Sequence, residues 1–384
     1  MTDKPAASPA DPSRAKGRIK YAARRRMLGR ILDRRLAAID TGLCLPGALP
    51  ARGIYRILVI RPNHRLGNTV LVTPLLKELE TLYPGAAIDI VSAGHAGDLL
   101  LSSRFQMHRV FSFHHRIARH LPSSIKLLRE MRKSTYDLAI DACSGSNSGR
   151  LLLGLSNARY KLAFAHDENT PGPLSAYEDN CPEHMALRSV HLLRMAYARA
   201  IEKPWPMLDL DLSPEEERDG ARALKSIVDT IEGHADDGPV VGVFANATGA
   251  KCYPESWWAA FVSKLQKQRP QIRIVDVLAE HGNSQLPGDM APYFSRHLRR
   301  MASVLGAMDA FISADCGVMH LAVAAGVPTL GLFSQDNMQK YAPYGGVNDA
   351  MQTRKDTLDM EAFEAAMAWI DQALEHTGKQ RRIR

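Results

Sequence analysis

The sequence predicts an α/β protein of two parallel sheets in tandem, each covered by helices on both faces. Three observations predict it. Short runs of branched aliphatic residues alternate with helix-period segments along most of the chain. The alternation breaks once, at a proline-rich stretch, and restarts from a second buried strand. The length of 384 residues, with 45% hydrophobic and 23% charged, suffices for two ordinary domains with full cores.

The elements follow in chain order. Residues 1–13 are rich in Pro, Ala and Ser, the composition of disordered segments. A helix is expected from Ser13 onwards. Met27, Leu28, Ile31, Leu32, Leu36 and Ile39 recur at helical spacing, and Arg24, Arg25, Arg26, Arg30, Arg34 and Arg35 fill its other sides. A basic amphipathic helix of this kind suits a membrane interface, where each basic side chain near an anionic leaflet adds about 1 kcal/mol. The plainer alternative is a solvated helix whose apolar stripe packs on the body. Residues 41–51, with Pro46 and Pro50, read as a linker.

Residues 56–60 form a buried strand. A glycine-containing loop leads to a helix over 68–83, stopped by Pro84 and Gly85. Strands follow at 87–91, 110–113, 136–142 and 160–165, with a basic helix at 123–133 and a long helix at 184–200. Residues 203–214 hold Pro204, Pro206 and Pro214 and break the pattern. A helix over 214–232 and a Gly/Asp-rich stretch at 233–238 precede the second start, a strand at 240–245. Helices at 255–268, 299–308 and 318–325 then alternate with strands at 272–278, 310–313 and 327–333. A last helix covers 358–376. The chain thus divides into a basic arm and linker (1–52), a first domain (53–205), a linker helix (206–238), a second domain (239–350) and a C-terminal helix (351–384).

Composition narrows the classes of function. No run of 18 or more apolar residues is present, so no transmembrane helix is expected. The N-terminus lacks the apolar stretch and cleavage site of a secretory signal. The five cysteines are odd in number and form no C-x-x-C pair, which points to a reducing cytoplasm. The net charge of +8 sits in the arm. Residues 1–35 hold 11 of the 49 basic and 3 of the 41 acidic residues, and the remaining 38 of each sign cancel. A neutral body argues against a nucleic-acid partner.

Two doubly wound sheets place a ligand cleft at their carboxyl ends. The strongest chemical signal lies on that edge. After the strand ending at Ser313 come Asp315, Cys316, Gly317, Val318, Met319 and His320, a tight turn that opens a helix. The free N–H groups and positive dipole end of such a helix form a phosphate site, and Gly317 permits close backbone approach. The alternative is an ordinary strand-to-helix turn capped by Asp315. Asp209 and Asp211, beside prolines in the linker, make no credible metal site.

With Leu321, Ala322, Gly326, Val327, Pro328, Phe333, Pro343, Tyr344 and Gly345, this stretch resembles the signature of glycosyltransferase family nine, the lipopolysaccharide heptosyltransferases. It departs at Cys316, where the family has a hydroxyl, and at Ser334, where the family usually has glycine. A second match opens the first sheet with Arg56 to Arg61, Leu66-Gly67-Asn68, Thr73-Pro74 and Tyr83-Pro84. A third joins Thr248, Lys251, Tyr253, Pro254 and Trp257.

The resemblance implies a GT-B fold, two Rossmann-like domains with the acceptor on the first and a nucleotide-sugar donor on the second. It implies an inverting glycosyl transfer that needs no metal or other cofactor. Thr248, Lys251 and the run Asp315 to His320 would bind the donor diphosphate, with Glu280 near the nucleoside. Arg61, Gly67 and Thr73 would lie on the acceptor side. The family's general base is an aspartate at the position of Asn68, and an amide accepts no proton at neutral pH. Asn68 is therefore expected to position the acceptor while Asp141, His64 or His166 takes the proton. The implied reaction moves heptose from ADP-heptose onto a lipid-linked saccharide of the lipopolysaccharide-core type. Residues 14–40 would rest on the anionic inner face of the inner membrane. Two competing readings remain: a catalytically impaired nucleotide-sugar-binding protein, which Asn68 favours, and a GT-B-fold sugar-nucleotide epimerase.

Overall fold

The computed structural model describes residue 36 and residues 38–113, 121–166, 172–229, 238–280, 282–288 and 290–383. Most of the expected arm and the helix end expected at 230–232 lie outside these residues. Among the described residues no helix is long and apolar enough to cross a membrane.

The first sheet has five parallel strands, β1 (Arg56–Arg61), β2 (Ala87–Ala93), β3 (Met107–Phe113), β4 (Tyr136–Asp141) and β5 (Ala158–Leu162), in the order β3-β2-β1-β4-β5. Its helices are α1 (Leu66–Val70), α2 (Thr73–Leu82), α3 (Ala96–Leu101), α4 (Leu121–Arg132), α5 (Asn147–Leu155) and α6 (Met185–Ala196). Ile57 and Val59 of β1 pack with Leu75, Leu79 and Val190 on one face. Leu58 and Ile60 pack with Met131 and Leu153 on the other. Burial on both faces explains why β1 reads as a continuous apolar run rather than an alternating one.

The second sheet is also parallel, with six strands in the order β11-β10-β9-β6-β7-β8. These are β6 (Val240–Phe244), β7 (Arg273–Val277), β8 (Ala291–Tyr293), β9 (Ala310–Ala314), β10 (Thr329–Phe333) and β11 (Asp349–Gln352). Around it run α7 (Pro214–Val228), α8 (Glu255–Gln268), α9 (Leu298–Gly306), α10 (Gly317–Ala324), α11 (Met338–Tyr341) and α12 (Met360–Ile383). Phe363, Met367 and Ile370 of α12 share a core with Trp258 and Phe261 of α8. The chain past residue 350 therefore completes the outer layer of the second domain.

The helix expected over 68–83 is two helices. Pro74 has no N–H to offer a preceding turn, but it fits the first turn of a new helix, and there it opens α2. The sequence reading also missed β8, β11, α3 and α5, all short and interrupted by Pro or Gly or lying at a sheet edge. Helix α7 starts where Ser213 accepts the Glu216 N–H while the Glu216 side chain accepts the Ser213 N–H.

The segment between the domains is laced into both. Leu208 and Leu210 are buried. The Leu210 N–H donates to the Ala324 carbonyl, and the Asp209 N–H donates to Thr73 Oγ1 at 3.1 Å. Arg299 donates to the carbonyls of Leu100, Leu210 and Asp211, each at 3.0 Å, and pairs with Glu216 at 2.6 Å. The described end of the arm docks on the first domain. Leu36 is fully buried, Ile39 lies against Gly154, and Asp40 pairs with Arg150 at 3.0 Å. At that end the apolar stripe packs on the body.

Candidate active site

Parallel pairing brings the ends of β1 and β4 side by side, with Ile60 opposite Asp141. Arg61 then lies at the carboxyl edge of the sheet, buried to 4% exposure. Its Nε donates to the Asn68 carbonyl at 3.2 Å and its Nη1 to the Ala142 carbonyl at 2.5 Å. A further Nη1 contact reaches Cys143 Sγ at 3.4 Å, and Nη2 donates to Asn68 Oδ1 at 3.2 Å. Arg61 therefore fixes the turn that carries Gly67 and Asn68.

Asp141 is 3% exposed and accepts the Cys143 N–H at 3.0 Å. A Cβ on Gly149 would fall 2.5 Å from its carboxylate, so the first turn of α5 covers it. Burial raises its pKa to about 7, against the downward pull of the Cys143 amide, Arg150 and Arg61. That value suits a proton acceptor at neutral pH, but the carboxylate is roofed over rather than presented to the cleft. His64 is exposed, and His166 lies at the docked arm, its N–H bonded to Asp40. Thr73, expected on the acceptor side, is fully buried, and its hydroxyl serves the linker and the Val70 carbonyl. It holds the linker rather than facing the cleft.

On the second domain the chain leaving β6 makes a short 3-10 turn, Gly249–Lys251, with Gly249 at φ 62°. Glycine adopts that left-handed value without strain. The turn delivers Lys251 Nζ to within 2.6 Å of Asp315 Oδ2. Asp315 also accepts from Asn337 Nδ2 at 2.7 Å, and Lys251 lies 5.7 Å from the centroid of the Tyr341 ring. Asp315 therefore does not cap α10; the cap position belongs to Cys316. Burial pushes the Cys316 thiol above its ordinary range, against the opposing pull of Ser313 and the Met319 and Val318 amides. Thr248 and Glu280 stand exposed, Thr248 beside the Lys251 turn and Glu280 past the end of β7. Met319 is fully buried and Val318 half-buried.

The two halves meet at two glycines. A Cβ on Gly67 would lie 3.3 Å from Gly317 Cα and 3.0 Å from His320 Cδ2. A Cβ on Gly317 would lie 2.9 Å from the Gly67 nitrogen. The first turn of α10 thus abuts the Asn68 turn. His320 is 3% exposed, its Nδ1 has no hydrogen-bond partner, and burial pushes its pKa down to about 4. Beside it His184 of the first domain bonds through Nε2 to the Ala342 carbonyl at 2.9 Å, and its ring packs edge-on against Tyr344 at 4.8 Å. Sequence reasoning missed Asn337, Tyr341 and His184. Tyr344 was marked by the Pro-Tyr-Gly motif but without a role.

A sequence model of glycosyltransferase family 9 (heptosyltransferase) matches residues 124–365, more than half of the chain. The chain belongs to glycosyltransferase family 9. Lipopolysaccharide heptosyltransferase 1 of Pseudomonas aeruginosa is 24% identical over 319 residues, 76% of this chain and 81% of that protein. Among solved structures, a family 9 glycosyltransferase of Veillonella parvula superimposes with a TM-score of 0.65 at 16% identity, covering 84% of this chain and 97% of that one. The E. coli heptosyltransferase WaaC, solved with ADP, gives 0.57 at 19% identity, covering 83% and 99%. The ADP-heptose lipopolysaccharide heptosyltransferase II of E. coli gives 0.56 at 18%, covering 83% and 99%. The fold is GT-B, as these family 9 neighbours share it. The family match covers the Lys251–Asp315 pair and α10; the Arg61–Asn68 turn lies before its first residue.

Proposed function

We propose that this chain is an inverting, metal-independent heptosyltransferase that takes heptose from ADP-heptose and places it on a lipid-linked saccharide of the lipopolysaccharide-core type. The observation that carries the reading is the Lys251–Asp315 pair at the first turn of α10, set directly against the Asn68 turn of the first domain. The P. aeruginosa relative and the ADP-bearing neighbour supply the sugar and the nucleotide. The basic stretch from Arg14 to Arg35 would hold the protein on the anionic inner face of the membrane, where such an acceptor resides, while Leu36, Ile39 and Asp40 dock on the first domain. The epimerase reading draws nothing from the family match.

In this mechanism an acceptor oxygen attacks the anomeric carbon, and negative charge collects on the departing diphosphate. Lys251 and the positive dipole end of α10 at Gly317 meet that charge. Asp315 and Asn337 hold the lysine in place. Closure of Gly67 on Gly317 excludes water that would otherwise hydrolyse the donor. Replacing Lys251 by Ala should weaken ADP binding and lower kcat by about 10²-fold. Isothermal titration with ADP and a turnover assay check this, and unchanged ADP affinity would remove Lys251 from the donor site. EDTA should leave turnover unchanged.

A further inference from the structure

The body is neutral in sum but not in distribution. Residues 103–135 hold eight basic residues and one acidic residue, Glu130. None of them belongs to the cleft described above. The described part of this stretch centres on α4. Its Leu127, Leu128 and Met131 pack into a core with Leu58 and Ile60 of β1. On its other side Lys126, Arg129, Arg132 and Lys133 stand exposed on neighbouring turns. Ile125 stands among them, 48% exposed. Glu130 is already paired with Lys133 at 2.6 Å. Arg109 is exposed on β3, along which α4 packs. Ile125, Lys126, Arg129, Glu130 and Lys133 line an open groove of about 520 Å³.

Helix α5 lies beside α4 on the same face of the first sheet and exposes Leu151 to 44%. The described end of the arm docks there too. Ile39 lies against Gly154, Asp40 pairs with Arg150, and Leu43 shares a core with Met131 and Leu153. The opposite face of the sheet is taken by α2, α6 and the linker. Helix α4 returns the chain from β3 to the parallel strand β4, so its first turns lie toward the carboxyl edge that carries the cleft. This side of the first domain therefore joins cations to single exposed aliphatic side chains, next to the root of the arm. Such a mixture fits a bilayer surface, with the cations at the lipid phosphates and Ile125 and Leu151 at the acyl boundary. A nucleic-acid surface calls for aromatic rings on which bases stack, and residues 121–133 contain none.

We propose that the outward face of α4 is a second membrane-docking surface, which seats the first domain on the anionic phospholipid headgroups of the leaflet. The inference extends the membrane reading of the arm to the folded body, and it rests on that reading for where the acceptor lies. The arm then acts as a tether, and α4 as the contact that decides which way the cleft faces.

The test is co-sedimentation of the full chain with phosphatidylcholine vesicles, made with and without phosphatidylglycerol. Wild type should bind the vesicles that contain phosphatidylglycerol, and less so as salt rises. Lys126→Gln, Arg129→Gln and Lys133→Gln together should weaken that binding on the order of 10²-fold, at about fivefold per cation. Glu130→Gln removes the one acid of this face and should tighten binding by about fivefold, a gain that misfolding cannot imitate. ADP affinity without vesicles should be unchanged in both proteins. A parallel arm variant, Arg24→Gln, Arg25→Gln and Arg26→Gln, separates the two contacts. If it loses binding while the α4 variant binds like wild type, the arm reading stands and this proposal is overturned. If the α4 variant alone loses binding, this proposal stands and the arm reading falls. Unchanged binding of Glu130→Gln overturns the proposal as well. So does a DNA duplex that binds wild type as tightly as the vesicles and is lost in the α4 variant. Wild type that ignores phosphatidylglycerol overturns both.

Discussion

Asp141 and His320 are both almost fully buried, and their pKa values move in opposite directions. For His320 burial lowers the value from 6.5 to about 4, with Asp315 opposing. Its contribution to stability is therefore fully present above pH 6.5 and is lost as pH falls through about 4, a change on the order of 3 kcal/mol. The advantage of wild type over His320→Gln should shrink over that window, as read by urea unfolding at a series of pH values. For Asp141 burial raises the value from 3.8 to about 7. Its contribution is fully present below pH 3.8 and is lost as pH rises through about 7. Asp141→Asn should therefore gain on wild type across that range by a similar order of magnitude. A pH-independent difference for either variant would mean that the group titrates normally. Both residues stood out in the sequence as candidates. Their burial did not: Asp141 is covered by Gly149 in the helix that follows its own strand, and His320 by Gly67 of the other domain.

At the scale of elements, the close approach of α10 to the Asn68 turn depends on a missing side chain. The sequence reading gave Gly317 the task of admitting a phosphate. The structure adds a second task, since a Cβ there would press on the Gly67 nitrogen and Leu66 Cβ, both at 2.9 Å. Gly317→Ala should push the two turns apart and lower kcat by about 10²-fold, because small misplacements at a reacting centre are expensive. The melting temperature should fall as well, since a Cβ 2.9 Å from the Gly67 nitrogen can be relieved only by moving backbone. A full-rate Gly317→Ala would show that the contact is incidental. Central strands were legible because burial on both faces leaves an unbroken aliphatic run. The edge strands β8 and β11 were not, because three or four residues with Pro292 or Asp349 carry no such pattern. The Lys251 turn was legible only through its resemblance, and its pairing with Asp315 is a tertiary fact.

For the molecule as a whole, the tandem arrangement was visible as a second strand start near 240. How the halves sit together was not, because the linker reads as a proline-rich break. In the structure it is a strut, with Leu208 and Leu210 in a core that contains residues of both domains. Arg299 ties this strut to Leu100 of the first domain and to Glu216 at the start of α7. Arg299→Met should lower unfolding free energy by about 2 kcal/mol, at the low end for a charged network because Glu216 is 31% exposed. Denaturation should stay a single transition, and two separated transitions would mean that the shared core does not couple the domains. The glycine-to-glycine seam has one more consequence, for the clock of the reaction. On the proposed reading the donor enters through this seam, and each turnover then includes a parting of the halves to admit donor and another to free the spent nucleotide. Such large-body motion is slowed by solvent friction. Turnover should therefore fall in proportion as the medium is thickened with sucrose, while the affinity for ADP, an equilibrium quantity, stays where it was.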